Sequence, residues 1–231
     1  MKTADPVDAA RVQLLLGELR LPAIKLLWAD LAAQADKEGW PAARYLAALA
    51  EQEIAERGRR RIERHLADAK LPIGKTLDTF DFDAVPTISK AQVRALAGGD
   101  GWLEKGANVI LFGPPGGGKS HLAAAIGLAL VENGWRVLFT RTTELVQKLQ
   151  VARRELALES AIAKLDKYHL VILDDLAYVR KDQVETSVLF ELISARCGHE
   201  LPVLRPVDVK KFGLRIRNFL RTRRSGVVRP G

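Results

Sequence analysis

The chain has 231 residues, with 36 Lys and Arg against 28 Asp and Glu, for a net charge of +8 at pH 7. Its 48% hydrophobic and 28% charged content is that of a globular protein and excludes a low-complexity or disordered chain. The lone cysteine, Cys197, excludes an internal disulfide, and the longest apolar stretch, residues 122–131, is too short to span a bilayer. No membrane association is expected, the N-terminus lacks the layout of a signal peptide, and a cytoplasmic location follows as the default.

Residues 1–70 read as a helical N-terminal domain. Val12, Leu15, Leu16 and Leu19 follow the i, i+3, i+4, i+7 spacing of an amphipathic helix. Leu21-Pro22 interrupts, and Ile24, Leu27, Trp28 and Leu31 resume the period. Gly39-Trp40-Pro41 is a stop followed by a restart, and a long helix is expected from Ala42 to about Ala69. That helix carries Arg57, Arg59, Arg60, Arg61 and Arg64, five arginines within eight positions, together with Glu51, Glu53, Glu56, Glu63 and Asp68. Two readings stand open: a solvated helix laced with ion pairs one turn apart, or a ridge that contacts phosphates.

Residues 71–107 read as a connector broken by Pro72, Gly74 and Pro86, with Phe80 and Phe82 as its apolar anchor. Those two rings either pack on the domain edge or cover a base. The core is expected to span 108–204. Residues 108–112 are a short apolar run, followed by Gly113, Pro114, Pro115, Gly116, Gly117, Gly118, Lys119 and Ser120, then His121 and an Ala/Leu-rich run. The octet fits G-x-x-x-x-G-K-[ST] in the strand, loop, helix order that this phosphate-binding loop needs. Glycines let backbone N–H groups close around a polyphosphate, Lys119 supplies a point charge, and the Ser120 hydroxyl is a hard oxygen suited to Mg²⁺.

A strand at residues 136–140 and a helix from about Glu144 lead to Leu-Val-Ile-Leu-Asp-Asp at 170–175. An unbroken apolar run marks a strand buried on both faces of a parallel sheet. Asp174 at its end is the candidate metal contact beside Ser120, and Asp175 is placed to orient and deprotonate an attacking water. No guanine-reading Asn-Lys-x-Asp element occurs, so ATP is favoured over GTP. Asp182 and Glu185 have capping-box spacing for a helix through Val188, Leu189, Leu192 and Ile193. From 205 to 231 a basic tail places nine Lys and Arg against one Asp, so the chain before it sums to zero and the charge gives the folded body no case of its own for binding DNA.

Together these residues resemble the IstB-type helper ATPases of bacterial insertion sequences, relatives of the DnaC helicase loaders within the AAA+ superfamily. The resemblance rests on residues 19–22, 75–82, 113–121, 141–149, 173–179 and 185–196. It implies an α/β fold, a P-loop AAA+ parallel-sheet core after a small all-α domain used for assembly and DNA contact. It further implies that residues 113–121 bind ATP with Lys119 in a catalytic role, that Ser120 and Asp174 serve Mg²⁺, and that Asp175 activates water. The implied partners are double-stranded DNA, a cognate transposase and further copies of the chain; the arginine ridge becomes the backbone contact. A helicase loader and a DNA-binding remnant with a dead ATPase are the alternatives. After Arg196 the resemblance stops. Residues 201–204 are apolar enough for a strand, but no Ser, Thr or Asn follows to sense the γ-phosphate, and no arginine finger is found. The core is expected to be incomplete there, as a frameshift or truncation would leave it, with hydrolysis impaired.

Overall fold

In the computed structural model, residues 6–99, 101–175, 183–198, 202–208 and 215–219 are described. The chain divides into two compact units, Met1–Glu63 and Arg64–Gly231, the division falling within the third helix.

The first unit holds α1 (Pro6–Glu18), α2 (Pro22–Glu38) and most of α3 (Ala42–Ala69). The expected breaks are present. Pro22 opens α2, and Gly39 closes it with φ +65, a left-handed cap whose N–H reaches the carbonyls of Ala35 and Asp36. Leu21, before α2, has no side chain to cap the helix; the Glu53 carboxylate on α3 does so, accepting from Ala23 N (2.9 Å) and Ile24 N (3.3 Å). The Tyr45 hydroxyl donates to the Trp28 carbonyl (3.0 Å), tying the same two helices at a second level.

In the second unit five strands lie in the order β2-β3-β4-β1-β5: β1 (Asn108–Gly113), β2 (Val137–Arg141), β3 (Leu170–Asp174), β4 (Val203–Asp208) and β5 (Arg215–Phe219). The first four are parallel, and β5 runs antiparallel to β1. Alternation along β3 shows why its run is wholly apolar. Leu170 and Ile172 join one core with Val109, Leu111 and the helix α5 (Lys119–Glu132). Val171 and Leu173 join the other, with residues of α6 (Thr142–Arg154), α7 (Leu158–Ala163) and α8 (Gln183–Gly198). Each fully buried Leu or Ile there contributes roughly 1.5–3 kcal/mol, and all five β3 residues are buried.

Two expectations change. The connector contains α4 (Lys90–Gly98), capped by the Ser89 hydroxyl on Gln92 N, and Phe80, Ile88, Val93, Leu96 and Trp102 are buried in the α5-side core. It is part of that core. The strand expected at 201–204 is β4, so the sheet runs past residue 204 into the basic segment and is extended by β5. Asp182, the expected cap of α8, lies outside the described residues, as does most of the tail.

Candidate functional site

β1 delivers the chain to the glycine loop, and α5 begins at Lys119. Gly118 is the helix cap at φ +79, where a Cβ would lie 3.0 Å from the Phe80 ring. Positive φ and a close aromatic neighbour together require glycine there. The first N–H groups of α5 have no earlier turn to bond, which gives the loop its donors for an anion. Lys119 is buried, and its ammonium donates to the carbonyls of Gly113 (3.1 Å) and Pro114 (2.6 Å), which holds the charge inside the loop.

The two motifs meet in one contact. Ser120 Oγ donates to Asp174 Oδ1 at 2.7 Å, joining residues 54 positions apart. Asp174 is only 8% exposed. Burial pushes its carboxyl above the usual carboxylate range, against the Ser120 hydrogen bond; the Asp175 charge raises it further, while the Asp175 N–H and Arg141 draw it down. Asp175 is exposed and has φ +57, the left-handed region that few non-glycine residues adopt.

Sequence reasoning gave no role to Thr142, Thr76 or Thr79, which brace this centre. The fully buried Thr142 donates from Oγ1 to the Asp174 carbonyl (2.6 Å), fixing the end of β3 from the start of α6. His121 Nε2 lies 3.1 Å from both Thr79 Oγ1 and the Thr76 carbonyl, and its ring meets Phe80 edge-on at 5.4 Å. The connector thus clasps the first turn of α5. Phe80 packs beneath the loop and against Phe82 (4.9 Å), so of the two readings of these rings the structure shows packing. The only sequence signal for these ties was the wording of 75–82 and 141–149.

The arginine ridge lies on α3 in the arrangement of a solvated helix. Arg57 bonds Glu53 (3.0 Å) and the Arg20 carbonyl (3.1 Å), Arg59 bonds Glu56 (2.8 Å) and Glu63, and Arg60 bonds Glu56. The Arg59 and Arg60 hydrogen bonds hold the Glu56 carboxyl down to about 2. Arg61 and Arg64 are exposed on the same helix. Among the described residues, no helix is long and apolar enough to cross a membrane.

Comparison with known proteins gives consistent results. A family model described as IstB-like ATP binding protein matches residues 14–206, past Arg196 and into β4. An insertion-sequence ATP-binding protein of Sinorhizobium fredii is 76% identical over 190 residues, 82% of this chain and 64% of the relative, so this chain spans less than two thirds of that protein. One from Pseudomonas aeruginosa is 37% identical over 185 residues, covering 80% of this chain and 69% of its own length. Among solved structures, AMPPCP-bound DnaA from Aquifex aeolicus aligns with a TM-score of 0.52 at 19% identity, over 61% of this chain and 43% of that one. The DnaC helicase loader aligns at 0.51 and 21%, over 59% and 78%. At such identities the likeness is one of fold: an α/β core with its parallel sheet behind the glycine loop.

Proposed function

The chain belongs to the IstB-like ATP-binding family, and from that premise we propose that it is an ATP-binding helper of DNA transposition. The observation that carries the nucleotide reading is the Ser120–Asp174 hydrogen bond, which sets the glycine loop against the acidic end of β3. In this reading the N–H groups of residues 113–121 wrap the phosphates and Lys119 neutralises their charge. The donor set fits magnesium: a hydroxyl and a carboxylate oxygen, both hard, with the carboxylate buried and short of compensating charge. Ser120 and Asp174 would hold the ion, which supplies positive charge to the phosphate oxygens when bound. Asp175 is exposed to water, which suits the proposed role of orienting a water molecule and taking its proton.

The names of the relatives support insertion-sequence transposition over helicase loading, since the likeness to DnaC is of fold alone. In this reading the protein assembles with ATP on duplex DNA, remodels it and recruits its transposase. The exposed Leu14, Leu19, Leu26, Leu46 and Ile54 of the helical unit suit self-assembly. The ridge of Arg57, Arg59, Arg60, Arg61 and Arg64 suits DNA backbone contact, because weak exposed ion pairs are readily exchanged for phosphates. Hydrolysis is proposed to be slow: β4 ends at Asp208, in register with Gly113, where the resemblance calls for a neutral polar sensor. Titrating ATP by calorimetry with and without magnesium tests the site. Magnesium-dependent affinity is expected, and its absence rejects the reading. Turnover measured with and without duplex DNA tests the rest, and a robust DNA-stimulated rate refutes the slow-hydrolysis part.

A further inference from the structure

Among the described residues, β2 is the outermost strand of the sheet at the end opposite β5. Side chains alternate between the faces of a strand, so consecutive residues lining one cleft place that cleft along the strand's edge. Residues 138–141 all line a cleft of about 430 Å³. The two cores agree with this placement: Phe139 packs toward the α5 side and Leu138 toward the α6–α8 side. The cleft therefore straddles the strand, beside backbone groups turned away from β3.

Its rim is cationic. Among the described residues, Lys70, Arg141, Lys148, Lys164 and Lys167 line it, all exposed, against a single acid, Glu144. They come from separate segments of the chain and converge only in the fold. The floor is apolar, from Leu138, Leu145, Leu165 and Tyr168, and Lys167 stands 4.8 Å over the Tyr168 ring. A second groove, between α7 and α8, collects Glu159, Asp166 and Glu191 instead. Charges that cancel along the sequence before residue 205 are thus sorted in space, which a sum along the chain cannot reveal.

Lysines beside an edge strand commonly discourage pairing with other edges. That repulsion acts on neutral or basic strands and becomes attraction for an acidic one. We propose that the β2 edge receives an extended acidic peptide from a partner protein by strand addition. Its backbone bonds the edge, its apolar side chains meet the floor, and its carboxylates meet the lysines. A nucleic-acid backbone matches the cations but has no N–H donors for the edge carbonyls and nothing apolar for the floor.

The test uses the full chain without nucleotide, so its outcome is independent of the ATP site. The probe is a fluorescein-labelled octapeptide alternating Glu and Val, followed by anisotropy. Expected are saturable, salt-sensitive binding, loss of binding when alternate peptide amides are N-methylated, and roughly tenfold weaker binding in the double variant Lys148→Glu, Lys167→Glu. Hydrogen exchange at residues 137–141 should slow in the complex; because it reads the wild-type protein, it decides the matter even if the double variant misfolds. The proposal is overturned if the peptide does not bind, if N-methylation has no effect, or if a labelled DNA duplex alone binds through these lysines.

Discussion

Among the described residues, each compact unit buries one carboxylate, and the two are used differently. Glu53, 4% exposed, accepts from two backbone N–H groups and from Arg57, so its oxygens are occupied by the helices it joins. Asp174, 8% exposed, receives one hydroxyl and one N–H, lies beside the charge of Asp175, and has its carboxyl pushed upward. A buried carboxylate with its bonds made serves as a structural tie. One left short of positive charge is a place for a cation. The surroundings differ in the same sense: among the described residues of Met1–Glu63 only Ala35, Leu49 and Glu53 are buried, whereas both faces of β3 are sealed. The first unit leans on polar ties at its helix ends, and the second on packing.

The largest expected effect belongs to the packed unit. Lys119→Ala should lower magnesium-dependent ATP affinity by roughly 10–150-fold, the loss of one charge-assisted bond, as read by calorimetry. Gly118→Ala follows, at about 2–3 kcal/mol of stability, because left-handed strain adds to contact with Phe80. Gly39→Ala has nothing within 4 Å of its Cβ and should cost only about 1 kcal/mol; equal losses in chemical denaturation would contradict the packing argument. Glu53→Ala should destabilise the helical unit by roughly 1–3 kcal/mol, leaving the N–H groups of Ala23 and Ile24 without their acceptor.

The sharpest contrast is Asp174→Asn. A carboxyl whose folded value is raised favours folding at low pH and loses that contribution as pH rises through its folded value, so toward higher pH the buried carboxyl is a burden. The Asn variant should therefore melt higher than wild type without ligand at neutral pH while losing the magnesium-dependent part of ATP affinity. A lower melting temperature would place Asp174 with Glu53 as a tie. The smallest effect is on α3. With its folded value held down to about 2, Glu56 supports the helix above its ordinary value of 4.5 and loses this as pH falls toward 2. Far-UV circular dichroism should show a modest loss of helicity in that window, smaller at high salt.

What could be read in advance follows from how locally each feature is encoded. The octet at 113–120 and the run at 170–175 write their chemistry in consecutive residues, and both stand where expected. α3 was legible from Gly39-Trp40-Pro41 and a long period, since caps are local signals. α4 was overlooked although Ser89 and Gly99 bracket it, because Pro86 and the scattered glycines made the whole segment look like a linker. Its burial depends on α5, more than twenty residues later in the chain. Thr142 and the grip of Thr76 and Thr79 on His121 are contacts between distant segments that no spacing rule reports. The arginines of α3 were visible and ion pairs one turn apart were one of two readings; the structure supplies the choice, with Glu53 and Glu56 holding three of them. The structure likewise supplies the cationic rim beside β2, assembled from parts of the chain that look unremarkable one by one.

The left-handed backbone of Asp175 has an evolutionary consequence. Asparagine tolerates that conformation as well as aspartate does, and the two codons differ by a single base. Asp175→Asn would leave the turn intact and erase the carboxylate. Under the role proposed for Asp175, such a substitution would give a folded protein that binds nucleotide without turning it over, a lesion that surveillance of misfolded chains does not detect.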